Sequence, residues 1–179
     1  VSGDVDLAGA NETLSDSGTL AYYDPASEQV FVRGTELTPA LRVTLAHELT
    51  HVLQDQHFDL ERLGELDDGR GPVLRALAEG DAGAIEDAYV MQMSEEDRAA
   101  YAAEAQGSAE EADEQLEGNV PPIMRTLFSA PYILGPELIS VLDIADGQDA
   151  IDEQLANPPT EEALFNPLLL DSDSLDPID

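Results

Sequence analysis

Between Leu20 and Arg33 apolar and polar residues alternate on either side of the turn Asp24-Pro25-Ala26-Ser27. A period of two predicts two short strands, Leu20 to Tyr23 and Gln29 to Arg33. Asp-Pro starts such a turn well, because proline presets its φ and aspartate can bond the following backbone. From Thr38 onward the period becomes helical. Thr38 suits an N-cap and Pro39 the first helical position. Leu41, Leu45, Leu49, Val52 and Leu53 then form one apolar stripe, expected to face a core. A second helix is predicted from about Pro72 to Met93, with Leu74, Leu77, Ile85, Ala88 and Tyr89 turned inward. Ser94 with Asp97 caps a third, running to about Gln115. It has few large apolar residues and is expected to be exposed and loosely held. Pro121-Pro122 opens a further helical segment, expected to break near Pro131 and again near Gly135-Pro136. "ELISVLDIADG" and "DAIDEQLANPP" complete the helices, and Thr160 is expected to cap a short turn over "TEEALF".

These elements describe an α+β chain, mostly helical, with a small β-hairpin at one edge. The length of 179 residues fits one domain, placed at 18–170. Residues 1–17 read as a flexible acidic lead-in and 171–179 as a disordered acidic tail. Asn11-Glu-Thr is a glycosylation sequon. No internal repeat is present.

Charge changes the picture most. There are 39 acidic residues against seven arginines and no lysine, a net charge of -32. Such a chain repels itself at low ionic strength. In molar salt the screening length falls to about 3 Å and the repulsion largely disappears. The acids run from Asp4 to Asp179, and 42% of the residues are hydrophobic, which favours a folded, salt-adapted surface over disorder. Nucleic acid is excluded as a partner class, because phosphate binding needs clustered basic residues. An acidic membrane surface is disfavoured for the same reason, and no apolar run of 18 residues stands out, so membrane contact is not evident. The absence of cysteine excludes disulfides and thiolate metal sites. The chain begins at Val1 without an apolar leader. An extracellular or membrane-anchored setting, through a segment upstream, is expected in preference to a cytoplasmic one.

The chemistry gathers in "LAHELTHVLQDQHFDL", Leu45 to Leu60, which holds all three histidines. His47, Glu48 and His51 form the pattern H-E-x-x-H. A spacing of four residues places two imidazoles on one helical face, about 6 Å apart at Cβ, suited to one tetrahedral Zn²⁺. Glu48 lies where it can take a proton from water activated by that metal. For this composition the chance expectation of the motif is ~0.004.

A third ligand is required. His57 gives the spacing of the metzincin motif, but that motif carries glycine where this chain has Gln54. Gln54 resists a positive φ and "LQDQ" continues a helix, leaving His57 about 15 Å along the axis from His47. The preferred ligand is Glu79 on the second helix, as in a His₂Glu site. Its small neighbours Ala76, Ala78, Gly80 and Ala82 are expected to let that helix approach the histidine helix closely. Asp81 and Glu86 are the other acids that could supply the third ligand.

"YYDPASEQVFV", "LRVTLAHELTHVLQDQHFDL" and "ALAEGDA", with weaker echoes in "PYILG" and "NPPTEEALFNP", resemble a group of bacterial and archaeal zinc metallopeptidases, gluzincin-like in pattern. The resemblance spans residues 20 to about 168. It implies Zn²⁺ on His47, His51 and Glu79, Glu48 as general base, a peptide or protein substrate, and an orienting role for His57. It also implies that a strand of the hairpin pairs with the peptide, and that a tyrosine, Tyr132 or Tyr89, stabilises the oxyanion. The chain departs from the pattern at Gly83, where gluzincins often carry an aspartate bonded to a ligand histidine. That departure motivates an alternative: a zinc-binding structural or partner-binding module without catalysis. Zinc-dependent hydrolysis of a non-peptide amide is a third possibility.

Overall fold

A computed structural model of the chain describes residues 19–64, 66, 69–117, 119–167 and 170. The lead-in, the sequon and the acidic tail lie outside the described residues. The fold is mostly helical α+β, with one two-stranded antiparallel sheet among the described residues.

Strand β1 (Ala21–Asp24) pairs with β2 (Gln29–Val32), Tyr22 opposite Phe31 and Tyr23 opposite Val30. Asp24 accepts a hydrogen bond from the Ser27 hydroxyl in the turn, 2.6 Å away. Tyr22 and Phe31 stack on the outer face with ring centroids 5.0 Å apart. β1 lies along helix α1 (Pro39–Phe58). Thr38 caps α1 through the Leu41 amide and Pro39 opens it, as the sequence predicts. At the other end Asp59 takes a left-handed conformation, φ 57°, and returns its N–H to the Asp55 carbonyl. Such a C-cap is a residue type that tolerates positive φ.

Only part of the apolar stripe of α1 faces the core: Leu41 is buried and Leu45 and Val52 are half-buried. Leu49 and Leu53 are more than half exposed, and the buried residues of the helix are Ala40, Leu41, Val43, Thr50 and Gln54. The histidine-bearing face turns inward instead, against helix α2 (Arg70–Gln92). Its polar groups can be buried there because α2 supplies hydrogen-bond partners.

Helix α2 is the centre of the molecule. Its buried residues all fall between Gly71 and Ala82. Leu74 and Leu77 are buried as expected, whereas Ile85 and Ala88 are exposed; the apolar core lies against the first half of α2, and the second half meets its neighbours through Glu86. Helix α3 (Glu95–Leu116) is capped by Ser94 through the Asp97 amide and buries no residue. It is nevertheless held by polar links. Glu104 accepts from the Ala40 amide in the first turn of α1, Asp97 pairs with Arg42 at 2.9 Å, and Tyr101 donates to Glu86.

Helix α4 (Pro122–Asp146) is one element, not the broken pair expected from its prolines. Pro131 and Pro136 each remove one backbone donor, yet the helix runs on through both, packed along α2. The crossing is backbone to backbone. A Cβ on Gly80 would come within 2.5 Å of the Gly135 carbonyl carbon, and one on Gly135 would run into the Ala76 carbonyl oxygen. So Gly80 and Ala76 serve the approach of α4, not that of the histidine helix. Because it is continuous, α4 is long and apolar enough to cross a membrane, a property hidden when its prolines are read as breaks. Its inner face supplies Leu138, Ile139 and Leu142 to the core, and Ile123, Leu127 and Ile133 face outward.

Helix α5 (Gln148–Ala156) adds Ile151 and Leu155 to the core, and its last carbonyls accept from the Arg62 guanidinium. The short α6 (Glu162–Phe165) closes the described chain. Thr160 does not cap it; its hydroxyl donates to the Glu162 carboxylate.

Candidate metal centre

Helix α1 brings His47 and His51 to one face, and α2 brings Glu79 opposite them. His47 Nε2 lies 3.1 Å from His51 Nε2 and 3.2 Å from Glu79 Oε2, and His51 Nε2 lies 3.5 Å from the same oxygen. Three donor atoms thus form a nearly equilateral triangle. Ligands bound at 2.0–2.1 Å around a tetrahedral Zn²⁺ would sit about 3.3 Å apart. The triad is close enough to hold a metal ion, and two imidazole nitrogens with one carboxylate oxygen suit Zn²⁺.

The far nitrogens of both rings are also engaged. His47 Nδ1 is 3.2 Å from Glu86 Oε2, and Glu86 in turn accepts from the Tyr101 hydroxyl at 3.1 Å. His51 Nδ1 is 2.9 Å from Gln54 Oε1. The Gln54 amide nitrogen donates to Asp81 at 2.8 Å and to the Ala78 carbonyl at 3.1 Å, which fixes which end of the amide faces the ring. Both Nδ1 atoms therefore donate, and both Nε2 atoms turn a lone pair into the triangle. Carboxylate and amide partners of this kind orient ligand histidines and raise their basicity.

These two chains of contacts fill the place left by Gly83, and spacing from Glu79 alone did not reveal them. Glu86 lies two helical turns after Glu79, on the same face of α2. Gln54 stands three residues after His51, one helical turn along the same face. The residue that spoils a metzincin turn is thus the one that holds His51. Neither Asp81 nor Glu86 joins the triangle. His57 stays on α1, exposed, with Nδ1 on the Leu53 carbonyl at 2.8 Å, and orients nothing at the site.

The rest of "QDQHFDL" anchors the hairpin and the helix end. Asp55 accepts from the Tyr23 hydroxyl at 2.7 Å and from the Leu60 amide at 2.7 Å. The Tyr23 amide donates to Glu48 Oε2 at 2.8 Å. Of the two strands considered for peptide pairing, β1 is the one beside the site. β2 is mostly exposed on its far side.

The electrostatics follow from burial and proximity. Burial opposes charge on His47, but hydrogen bonds to Glu79 and Glu86 outweigh it and raise its pKa to about 9. Burial likewise opposes charge on Glu79, yet its bonds to the two histidines lower its pKa to about 2. In the metal-free site a proton on His47 Nε2 meets Glu79; a bound metal would take that proton's place. Burial pushes the Glu48 carboxyl above its usual range, against the Tyr23 amide, which pulls it down. Tyr132 stands near Glu79 and Arg75, and its pKa is raised by burial and by the Glu79 charge. Tyr89 has no such place; it lies on α2 beside Arg42.

Arg75, which the sequence reading did not single out, stands one turn before Glu79 on α2. Its Nε is 3.9 Å from Glu79 Oε1, and its guanidinium lies 5.7 Å from the centre of the Phe128 ring. From His51 and Glu79 a cleft of about 790 Å³ opens between α2, α4 and α6.

Compared with family models, curated proteins and solved structures, the chain matches none of them. The geometry of the triad is therefore the ground on which its chemistry stands.

Proposed function

We propose that the protein is a zinc-dependent metallopeptidase of gluzincin type that works in high salt. The observation that carries this reading is the triangle of His47 Nε2, His51 Nε2 and Glu79 Oε2, with the Glu48 carboxylate held beside it by the Tyr23 amide. Bound to these donors, Zn²⁺ supplies Lewis-acid polarisation of the scissile carbonyl and lowers the pKa of water. Glu48 takes a proton from the attacking water and returns it to the leaving nitrogen. Burial holds its carboxyl above the usual range, the direction that suits a general base that must also release its proton. Tyr132, beside Glu79, donates its hydroxyl hydrogen bond to the developing oxyanion. β1 lies beside the site, and the backbone groups on its edge other than the Tyr23 amide, which Glu48 holds, are those an extended peptide would pair with. Glu86 and Gln54 keep both imidazoles in the ligating tautomer.

The test is turnover of a mixed peptide library by zinc-loaded protein in molar salt, with the wild type beside Glu48→Gln. The reading expects cleavage by the wild type, a loss of roughly 10²–10⁴-fold in the variant, and undiminished zinc content. An inert wild type, or a variant as active as its parent, would sink it.

A second reading is favoured by one contact. The Tyr23 amide occupies an oxygen of Glu48, which suits a zinc-binding module that holds the hairpin to α1 and performs no hydrolysis. On that reading Glu48→Gln has no turnover to lose.

A further inference from the structure

We propose that the cleft beside His51 and Glu79 binds the C-terminal residue of a peptide, with its large apolar side chain between α2, α4 and α6 and its carboxylate on Arg75. This inference rests on the hydrolase reading above and names its substrate class.

The cleft has the size of a small-ligand site, and its walls are mostly apolar, with His51, Arg75 and Glu79 as charged or polar members. Pro72 and Ala76 of α2, Leu127 and Leu134 of α4, and Leu164 and Phe165 of α6 line it. No lysine or second arginine stands among its lining residues, so Arg75 is the permanent cation of the cleft. The Arg75 side chain is 43% exposed and faces this space. A guanidinium has five N–H donors, and the contacts with Glu79 and Tyr132 leave several of them for a ligand. At 3.9 Å the Glu79 contact is an ion pair too long for a hydrogen bond. The Phe128 ring lies 5.7 Å from the guanidinium carbon, a cation–π distance, and the guanidinium fork suits two-point contact with a carboxylate.

The spacing selects a single residue. Arg75 Nε stands 3.9 Å from Glu79 Oε1, so the guanidinium and the triad carboxylate are direct neighbours. One amino-acid residue spans about 3.8 Å between successive Cα atoms. A carbonyl held for attack beside Glu79 therefore leaves room for one residue before its terminal carboxylate meets Arg75. In the hydrolysis the C–N bond before that residue breaks. The oxygen of water joins the acyl carbon, and a proton passes through Glu48 to the leaving nitrogen, freeing an apolar amino acid. The acidic surface repels a peptide carboxylate in dilute buffer. Molar salt removes that long-range field but leaves a direct, partly buried ion pair much less affected.

The test measures binding, not turnover. Zinc-loaded Glu48→Gln protein in molar salt is titrated calorimetrically with three peptides: N-acetyl-Ala-Phe as free acid, the same peptide as its amide, and N-acetyl-Ala-Gly as free acid. The expected result is affinity for the first at least roughly tenfold above either of the others. Arg75→Gln should bring the acid down to the level of the amide, and Arg75→Lys, which keeps the charge but loses the fork, should retain part of the difference. Equal affinity for acid and amide, equal affinity for Phe and Gly, or no binding of any of the three overturns the assignment. Survival of the acid preference in Arg75→Gln overturns it as well. The failure modes separate: selective binding with an inert wild type sinks hydrolysis but keeps the cleft, whereas turnover without this selectivity sinks the cleft alone.

Discussion

Helix α1 has two faces, and they contradict the simplest rule of burial. The leucine face, with Leu49 and Leu53, is open to solvent, while the face with His47, His51 and Gln54 is packed against α2. Apolar burial is worth about 1.5–3 kcal/mol for a leucine, so turning these two outward is a real loss. The inward face keeps its polar groups satisfied. His47 has Glu79 and Glu86, His51 has Gln54, and Gln54 has Asp81 and the Ala78 carbonyl. A helix whose interior contacts are a connected polar network is oriented by chemistry more than by hydrophobicity. Local consistency tends to be given up at such places, where a site has to be assembled.

The sharpest way to break the contrast is to remove a corner of the triangle. His51→Ala or Glu79→Gln should lower zinc affinity by more than roughly 100-fold, beyond what loss of an orienting partner costs, as read by competition with a chelating dye. Retention of tight stoichiometric zinc in either variant would mean that the inward face is structural only.

Next come the partners behind the imidazoles. Glu86→Ala and Gln54→Leu should each weaken zinc binding by about 10–100-fold while the fold survives. Gln54→Leu is the more telling of the two. If its hydrophobicity simply improved packing and zinc affinity held, Gln54 would be a core residue and not a positioning one.

Acidity offers a gentler probe of the same face in the metal-free protein. His47 is raised from 6.5 to about 9, so its contribution to stability is fully present below 6.5 and fades as pH climbs through 9. Glu79 is lowered from 4.5 to about 2, so its contribution is present above 4.5 and is lost as pH falls through 2. Denaturant titrations of metal-free protein should therefore show this contribution complete between pH 4.5 and 6.5, with a decline into the alkaline range. His47→Gln should remove that alkaline decline; its persistence would place the titrating group elsewhere.

The outer face should answer least. Leu49→Ser and Leu53→Gln are expected to change stability by no more than about 0.5 kcal/mol in denaturant melts, as surface substitutions do. A loss of several kcal/mol from either would show that the stripe is covered in solution.

Much of this arrangement was legible along the chain. Thr38 and Pro39 announce the start of α1, Ser94 announces that of α3, and the turn at Asp24-Pro25 announces the hairpin, because caps and turns are local hydrogen-bonding decisions. The pairing of His47 with His51 is also local, set by the period of one helix. Glu79 could be preferred because the His₂Glu pattern allows a ligand on a following helix. Three readings went astray together: the whole leucine stripe placed inward, α4 broken at its prolines, and His57 given a supporting role. Each depended on a neighbour that periodicity does not name.

The sequence by itself determined the local geometry: where helices begin, which residues share a face, and that two imidazoles stand together ready for a metal; that Glu79 joins them was decided by the packing of α2 on α1. Only the tertiary structure decided which face of α1 is buried, that Gly80 and Gly135 bring α2 and α4 into backbone contact, and that Glu86, Gln54, Arg75 and Tyr132 gather around the triad. The physical reason lies in range. Backbone propensity acts over a few residues, but satisfying a buried polar group requires a partner from elsewhere in the chain. Here those partners arrive only when α2 lies against α1.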